Sequence, residues 1–144
     1  HKLDIFVNSA GTGGTIAGVS SFLKEKSPKT QIVLADPFGS GLYEYFKTGV
    51  IKTEGSSVSE GIGIMRITAN MSKAKVDEVL RISDEKMWDM VRHVAHHEGY
   101  CVGLSSGINL QAAFEVGLRH KNQGLKIVTL ICDHGSRYLS KRVS

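Results

Sequence analysis

The chain has 144 residues, 41% of them hydrophobic and 22% charged, which is the composition of one globular domain large enough to bury a core. No apolar run approaches the roughly 18 residues of a membrane span, and the N-terminus lacks the apolar region of a signal peptide, so we expect a cytoplasmic protein without a membrane partner. The net charge of +4 is spread along the chain, a pattern that gives nucleic-acid binding no support.

Strands and helices alternate from the start of the chain. The run LDIFVNSA predicts a buried strand, which the glycines of GTGGT bring to an end. The next segment predicts a helix that begins near Thr15 and ends before Pro28, with an apolar face of Ile16, Val19, Phe22 and Leu23. TQIVLAD predicts a second strand. A strand, a helix and a strand within about 35 residues indicate a crossover unit with parallel strands.

The remaining elements continue this alternation. Residues 39–59 predict a long loop with a short helix near LYEYFKTG, and VDEVLRI predicts a strand. Ser83 is suited to cap the next helix, which ends at Gly99. YCVGL predicts another strand, SSGINLQAAFEVGLRHKNQG a helix, and LKIVTLICD the clearest strand of the chain. We therefore predict an α/β fold over residues 1–144, a three-layer domain with a mostly parallel sheet.

The loop GTGGT, between the first strand and its helix, has the character of an anion site. Backbone N–H groups at a helix start face the positive end of the dipole. Gly11, Gly13 and Gly14 leave room for an anion, and the hydroxyls of Thr12 and Thr15 can donate further hydrogen bonds. The loop contains no Lys or Arg, so the predicted phosphate site uses neutral donors.

Two other interpretations of this loop stay open. A P-loop requires a lysine that GTGGTIAGVS lacks, whereas a dinucleotide fingerprint fails only at Ile16 and gains Asp36, whose carboxylate would suit a ribose diol. A nucleotide-binding regulatory module is therefore one alternative. The other is an assembly module, in which the glycines serve tight packing alone.

A second strand-to-helix turn has the same design. In VGLSSGINLQAA, Ser105, Ser106 and Gly107 lie between a predicted strand and a helix. Ligands of parallel α/β folds bind at the carboxyl edge of the sheet, where two such turns can meet. One turn could then hold a phosphate while the other contacts a ring.

With these two motifs and SEGIG, the chain resembles the C-terminal half of the cysteine synthases, in the fold-type II family of pyridoxal-phosphate enzymes that also contains cystathionine β-synthase. GTGGTIAG is similar to the cofactor phosphate loop of that family, IVLADPFGS to its next strand and turn, and SEGIG to its glycine loop beside the cofactor. GLSSGIN resembles the turn whose serine meets the pyridine nitrogen, and LICDHGSRYLSK the closing strand and turn. The similarity runs in order over residues 3–142.

The resemblance implies a cofactor, a reaction and a set of site residues. Pyridoxal 5'-phosphate would be bound through its phosphate, Ser105 would contact the ring nitrogen, and the pocket would be lined by Gly61, Ile62 and Gly63. The phosphate-binding residues would be Gly11, Thr12, Gly13, Gly14 and Thr15. A neutral hydroxyl at the ring nitrogen implies a weaker electron sink than an Asp would give, which suits β-replacement on O-acetylserine-type amino acids by sulfide to give cysteine. The complete enzyme would be a homodimer acting on a small amino-acid substrate.

The chain also departs from the family pattern. The Schiff-base lysine belongs to an N-terminal segment that is absent here, and Lys73 and Lys141 lie in the wrong part of the pattern, so we assign no catalytic residue and expect the segment alone to be inactive. Cys132 and Asp133 stand where many cysteine synthases have Pro-Ser, and GIMRITAN replaces the usual GxxFIP. A cysteine desulfhydrase or a cystathionine β-synthase-like lyase therefore stays open.

Cysteine and histidine positions favour structural roles. Cys101 and Cys132 lie in apolar runs without CxxC partners, which predicts reduced, buried thiols. His93 and His97 share a helix face opposite the apolar stripe, which indicates a solvated face, and we predict no metal site.

Overall fold

The computed structural model describes residues 2–53, 55–59 and 61–141. The strands of this part are β1 (Ile5–Ser9), β2 (Gln31–Pro37), β3 (Glu78–Ile82) and β4 (Ile127–Val128). Its helices are α1 (Gly14–Lys26), α2 (Leu42–Thr48), α3 (Asp84–His97) and α4 (Leu104–Arg119). Short 3-10 helices cover Met71–Lys73 and Gly135–Lys141. None of the helices in these ranges is both long enough and apolar enough to cross a membrane.

The strands form one parallel sheet in the order β3-β2-β1-β4. Ile5 is opposite Gln31 on one side of β1 and opposite Ile127 on the other. The chain proceeds from β1 to β2 to β3 in one direction and then returns to place β4 on the other side of β1. The gap between β1 and β4 is therefore the topological switch point, where ligands of open α/β sheets bind.

The sheet is covered on both faces, as the three-layer prediction requires. Successive side chains of a strand point to opposite faces, so Ile5 and Val7 join one core while Phe6 joins the other. The first core contains residues of α3 and α4, and the second contains residues of α1, α2 and the 3-10 helix at Met71. The predicted fold class is confirmed.

Helix α1 packs by most of the apolar face that its pattern predicted: Ile16 is buried, and Val19 and Leu23 pack against the same core. Ala17 and Ser20 are buried as well, whereas Phe22 is 60% exposed. The predicted apolar face was therefore wrong at Phe22.

Helix α3 agrees closely with its sequence pattern. The Ser83 hydroxyl accepts a hydrogen bond from the Lys86 amide at 3.4 Å, which confirms the predicted N-cap. Met87 and Val91 of the predicted stripe are buried, and Trp88 packs against the same core. His93 and His97 are exposed, and their stacked rings have centroids 4.3 Å apart. Within the described ranges, no three side chains of the kinds that bind metals cluster together.

Two predicted strands of the C-terminal part were wrong in type or length. YCVGL contains only an isolated antiparallel bridge from Val102 to His134, and α4 already begins at Leu104 and ends at Arg119, before the predicted Gly124. LKIVTLICD pairs with β1 only at Ile127 and Val128. An apolar run pairs as a strand only where a neighbouring strand provides backbone hydrogen-bond partners. Two positions of β1 pair with β4.

Candidate active site

A cleft of about 360 Å³ lies at the carboxyl edge of the sheet, beside the switch point. Its lining comes from the end of β1, the loop after it, the loop of residues 61–62, the start of α4 and the segment after β4. The lining residues are Asn8, Ser9, Gly11, Thr12, Gly13, Gly14, Thr15, Gly61, Ile62, Ser105, Leu130, Cys132, Asp133 and Arg137. Both turns singled out in the sequence therefore face one cavity.

The loop between β1 and α1 presents backbone donors to this cleft. Gly13 has a φ of 84°, in the left-handed region, and supplies no side-chain cap to the helix. The first turn of α1 carries no acidic residue. The first bond of the helix runs from the Ala17 amide to the Gly13 carbonyl, so the amides before Ala17 have no partner within the helix and lie at the positive end of its dipole, the arrangement that binds anions.

Segments far away in sequence hold this loop in place. The Thr68 hydroxyl donates to the Thr12 carbonyl at 2.7 Å, and a Cβ at Gly13 would lie 3.0 Å from the Met71 amide nitrogen. A Cβ at Gly11 would lie 2.2 Å from the Gly61 carbonyl oxygen. The glycines therefore serve close packing of the loop as well as backbone conformation. The support from residues 67–73 was not predicted from the sequence.

The predicted pocket residues divide between two places. Gly61 and Ile62 line the cleft with the phosphate loop. Gly63 lies outside it, because its amide donates to the Ala10 carbonyl at 2.8 Å and so turns the chain behind the loop. The SEGIG segment thus meets the cleft with two of the three expected residues.

The first turn of α4 brings Ser105 to the opposite part of the cleft. Ser105 is 6% exposed and its hydroxyl donates to Asp133 Oδ1 at 2.8 Å. The neighbouring Ser106 hydroxyl accepts from the Cys132 amide at 2.8 Å, so it secures the segment after β4 instead of facing the cavity. Of the two serines, the structure places the first at the cleft.

Asn109, one turn further along α4, ties the two halves of the site together. Its Oδ1 accepts from the Ser9 amide at 2.6 Å, and its Nδ2 donates to Asn8 Oδ1 and to the Leu130 carbonyl, each at 3.0 Å. Asn109 is completely buried. It therefore fixes the end of β1 and the start of the phosphate loop relative to Ser105.

Cys132 and Arg137 are cleft residues to which the sequence assigned no role there. Both cysteines are free thiols, as predicted, but both are exposed, so the expected burial was wrong. Cys132 follows β4 into the cleft, where partial burial raises the pKa of its thiol and keeps it neutral near pH 7. The position of Cys132 in the segment after β4, at the carboxyl edge of a parallel sheet, was the signal that could have identified it, whereas Arg137 lies in the following 3-10 helix.

Asp36 is not available to a ligand. It is completely buried at the end of β2, its Oδ2 accepts from the Tyr43 amide at 2.8 Å, and it is absent from the cleft lining. Burial raises its pKa to about 6. A ribose diol could not reach this carboxylate, which removes the residue on which the dinucleotide alternative depended.

Comparison with known proteins identifies the family. A family model described as "Pyridoxal-phosphate dependent enzyme" matches residues 1–133. The chain belongs to this family. Over 153 residues it is 43% identical to the cysteine synthase 2 of Schizosaccharomyces pombe, covering 97% of the chain and 38% of that protein.

Solved structures of the family superimpose closely on the chain. The O-acetylserine-dependent cystathionine β-synthase of Helicobacter pylori has a TM-score of 0.83 and 33% identity, over 96% of the chain and 42% of that protein. A hydrogen sulfide-producing enzyme of Fusobacterium nucleatum has a TM-score of 0.83 and 30% identity, over 96% and 45%. The chain thus spans less than half the length of these relatives.

The cleft suits the cofactor of the pyridoxal-phosphate family. Its volume is within the range of small-molecule sites. Free amides at one part match a phosphate dianion, and a hydroxyl at another part matches a single polar ring atom. None of the described lining residues is a lysine.

Proposed function

We propose that the cleft binds pyridoxal 5'-phosphate, with the phosphate on the first-turn amides of α1 and the ring nitrogen at Ser105. The phosphate-binding residues are Gly11, Thr12, Gly13, Gly14 and Thr15, and Gly61 and Ile62 form the neighbouring wall. The observation that carries this proposal is that two separate helix starts, 90 residues apart in the chain, line one cavity. The bound cofactor would supply an electron sink for chemistry at the α- and β-carbons of an amino acid.

The reaction that we propose for the complete enzyme is β-replacement on O-acetylserine by sulfide, which gives cysteine. The similarity to a cysteine synthase and to an O-acetylserine-dependent enzyme supports this substrate. The similarity to a hydrogen sulfide-producing enzyme supports a second candidate, cysteine desulfhydration at the same site. Incubation of the complete enzyme with O-acetylserine and sulfide, and separately with cysteine, distinguishes the two by the product formed.

Gly14 offers a test of the phosphate site that does not disturb the fold. A Cβ at Gly14 would meet only Asn70 Nδ2 at 3.6 Å and Thr12 Oγ1 at 3.9 Å, which are ordinary contacts. Gly14→Asp places a carboxylate at the N-terminus of α1, where the helix dipole stabilises a negative charge. The same carboxylate would repel a phosphate bound at this turn. We expect the affinity for pyridoxal phosphate to fall at least tenfold, by roughly 1.4 kcal/mol, while the unfolding midpoint stays level or rises.

Gly14→Asn is the matched control, because it fills the same volume without charge. Its affinity should fall less than that of Gly14→Asp, because volume is added without charge, as measured by titration with pyridoxal phosphate and by competition with inorganic phosphate. Equal affinities of Gly14→Asp and Gly14→Asn for pyridoxal phosphate would show that the phosphate does not bind at this loop. Titration with NAD in the same assay tests the nucleotide-binding alternative, and tight NAD binding would favour that alternative.

The cellular setting belongs to the same proposal. We propose a cytoplasmic homodimer for the complete enzyme, the dimer being what the resemblance to the cysteine synthases implies. Fractionation of cells and sedimentation of the complete enzyme test the two statements. Recovery in an organelle, or sedimentation as a monomer, would contradict them.

A further inference from the structure

The side chain of Thr68 holds the phosphate loop from outside the cleft. Its hydroxyl donates to the Thr12 carbonyl at 2.7 Å and accepts from the Met71 amide at 3.0 Å. The first bond uses the hydroxyl proton and the second uses a lone pair, so the two bonds do not compete. Thr12 and Gly13 line the cleft, whereas Thr68 does not. Thr68 therefore contacts the loop on the side away from the cavity.

The carbonyl that Thr68 holds belongs to the peptide unit that joins Thr12 to Gly13. In a planar trans peptide, the C=O of one residue and the N–H of the next point in opposite directions. The Gly13 N–H therefore points away from Thr68. Among the described residues, no acceptor is found for this N–H, which leaves it available to a ligand.

A glycine leaves the orientation of this peptide to its neighbours. Gly13 has a φ of 84°, and glycine adopts φ values of either sign with similar ease. The peptide between Thr12 and Gly13 could therefore turn over, which would direct a carbonyl oxygen instead of an N–H toward an anion. The hydrogen bond from Thr68 opposes this reversal, because the Thr12 carbonyl would lose its donor.

Resting on the proposed function, we propose that Thr68 is a positioning residue for the cofactor phosphate, whose hydroxyl fixes the peptide between Thr12 and Gly13 so that the Gly13 N–H faces the phosphate. A hydrogen bond to a peptide carbonyl also polarises the peptide and makes its N–H a stronger donor. The loop GTGGT has no Lys or Arg, so the phosphate would depend on such neutral donors. In the pattern GxxFIP the position of Thr68 is a proline, which has no hydroxyl, so this bond arises from the departure from that pattern.

A paired titration separates an effect on the phosphate from general damage to the cleft. The 144-residue chain is titrated with pyridoxal 5'-phosphate and with pyridoxal, which lacks the phosphate. Thr68→Val keeps the shape of the side chain and removes the hydroxyl. We expect its affinity for pyridoxal 5'-phosphate to fall about five- to tenfold, as the loss of one hydrogen bond gives, while its affinity for pyridoxal changes less than about twofold.

Two further variants show whether the hydroxyl itself is responsible. Thr68→Ser retains a hydroxyl and should restore the affinity for pyridoxal 5'-phosphate to within about twofold of the unchanged chain. Ser72→Ala is the control in the same segment, because the Ser72 hydroxyl donates to the Ala69 carbonyl at 2.9 Å and does not contact the phosphate loop. It should leave both affinities unchanged.

The Gly13 amide gives a measurement that requires no variant. In the unchanged chain, the amide proton of Gly13 should shift downfield in the NMR spectrum when pyridoxal 5'-phosphate is added, because it then donates to a charged acceptor. The same shift should be smaller in Thr68→Val and undiminished in Thr68→Ser.

Each contrary result has a distinct meaning. Three results would overturn the role of Thr68 while leaving the cofactor site intact: an unmoved Gly13 amide in an unchanged chain that binds the cofactor, an unaltered affinity in Thr68→Val, or equal losses for pyridoxal 5'-phosphate and pyridoxal. Failure of the unchanged chain to bind pyridoxal 5'-phosphate would overturn the proposed function and this inference together.

Discussion

At the scale of single residues, burial and reach decide which polar groups can act. Asp36 and Asp133 both follow strands of the parallel sheet, yet Asp36 is sealed beneath α2 and Asp133 borders the cleft. Within the described part of the chain, Asp36 Oδ1 has no hydrogen-bond partner. The ionised form of Asp36 therefore destabilises the fold, and its carboxylate does not reach a ligand in the cleft.

The stability of the chain should depend on pH through Asp36. Its pKa is raised from 3.8 to about 6, so the folded state holds a proton that the unfolded chain has already released between these values. Stability from this group is fully present below pH 3.8 and is lost as pH rises through about 6, by about 3 kcal/mol at most. Urea unfolding at pH 4, 5, 6 and 7 should show this loss in the unchanged chain and its absence in Asp36→Asn.

Asp89→Asn serves as the control for that series, since this carboxylate is exposed and lies far from β2. It should keep the pH dependence of the unchanged chain. A parallel pH dependence in Asp36→Asn and the unchanged chain would show that Asp36 ionises freely in the folded state.

At the scale of elements, one side chain joins three of them. Asn109 connects α4 to the end of β1 and to the segment after β4 through partners up to 101 positions away. Such a bond network satisfies buried backbone groups that no strand ladder reaches. The relative placement of the two helix starts that form the cleft therefore depends on Asn109.

Asn109→Ala should lower both stability and cofactor affinity. It leaves the Ser9 amide without its acceptor, and we expect a loss of about 2 to 3 kcal/mol in the free energy of unfolding. The affinity for pyridoxal phosphate should fall as well, because Ser9 begins the turn into the phosphate loop. Gln111→Ala is the control on the same helix: its amide pairs only with Glu115, and the change should stay within about 0.5 kcal/mol. An Asn109→Ala chain with unchanged stability would refute the role of this network.

At the scale of the whole molecule, the chain matches less than half the length of the relatives that it resembles. It spans 38% of the S. pombe relative, and the described lining of its cleft contains no lysine to hold the cofactor covalently. Apolar side chains at the β4 edge, among them Val128 and Ile131, are exposed in this chain. We therefore predict that cofactor binding and turnover can be separated in this chain.

The 144-residue chain should bind pyridoxal phosphate reversibly without catalysing cysteine formation. Borohydride treatment followed by dialysis should leave no covalently attached cofactor. Addition of the portion of the S. pombe cysteine synthase 2 that the chain does not match should give both covalent attachment and cysteine formation from O-acetylserine and sulfide. That portion alone is the control. Cysteine formation by the 144-residue chain above the rate with free cofactor would contradict the prediction.

What the sequence by itself determined about this protein is local. The alternation of apolar runs and amphipathic segments predicted the layered α/β fold, GTGGT predicted an anion-binding turn, and Ser83 predicted a helix start, because each depends on residues within a few positions of one another. The same locality explains why the strand in LKIVTLICD could be placed but its length could not, and why YCVGL was wrongly predicted to be a strand.

Only the tertiary structure decided which distant groups meet. The bond from Ser105 to Asp133 joins residues 28 positions apart, the support of Thr12 by Thr68 spans 56, and the exposure of Cys132 depends on how β4 leaves the sheet. No periodicity encodes such pairs, because their distances arise from the packing of helices on the sheet.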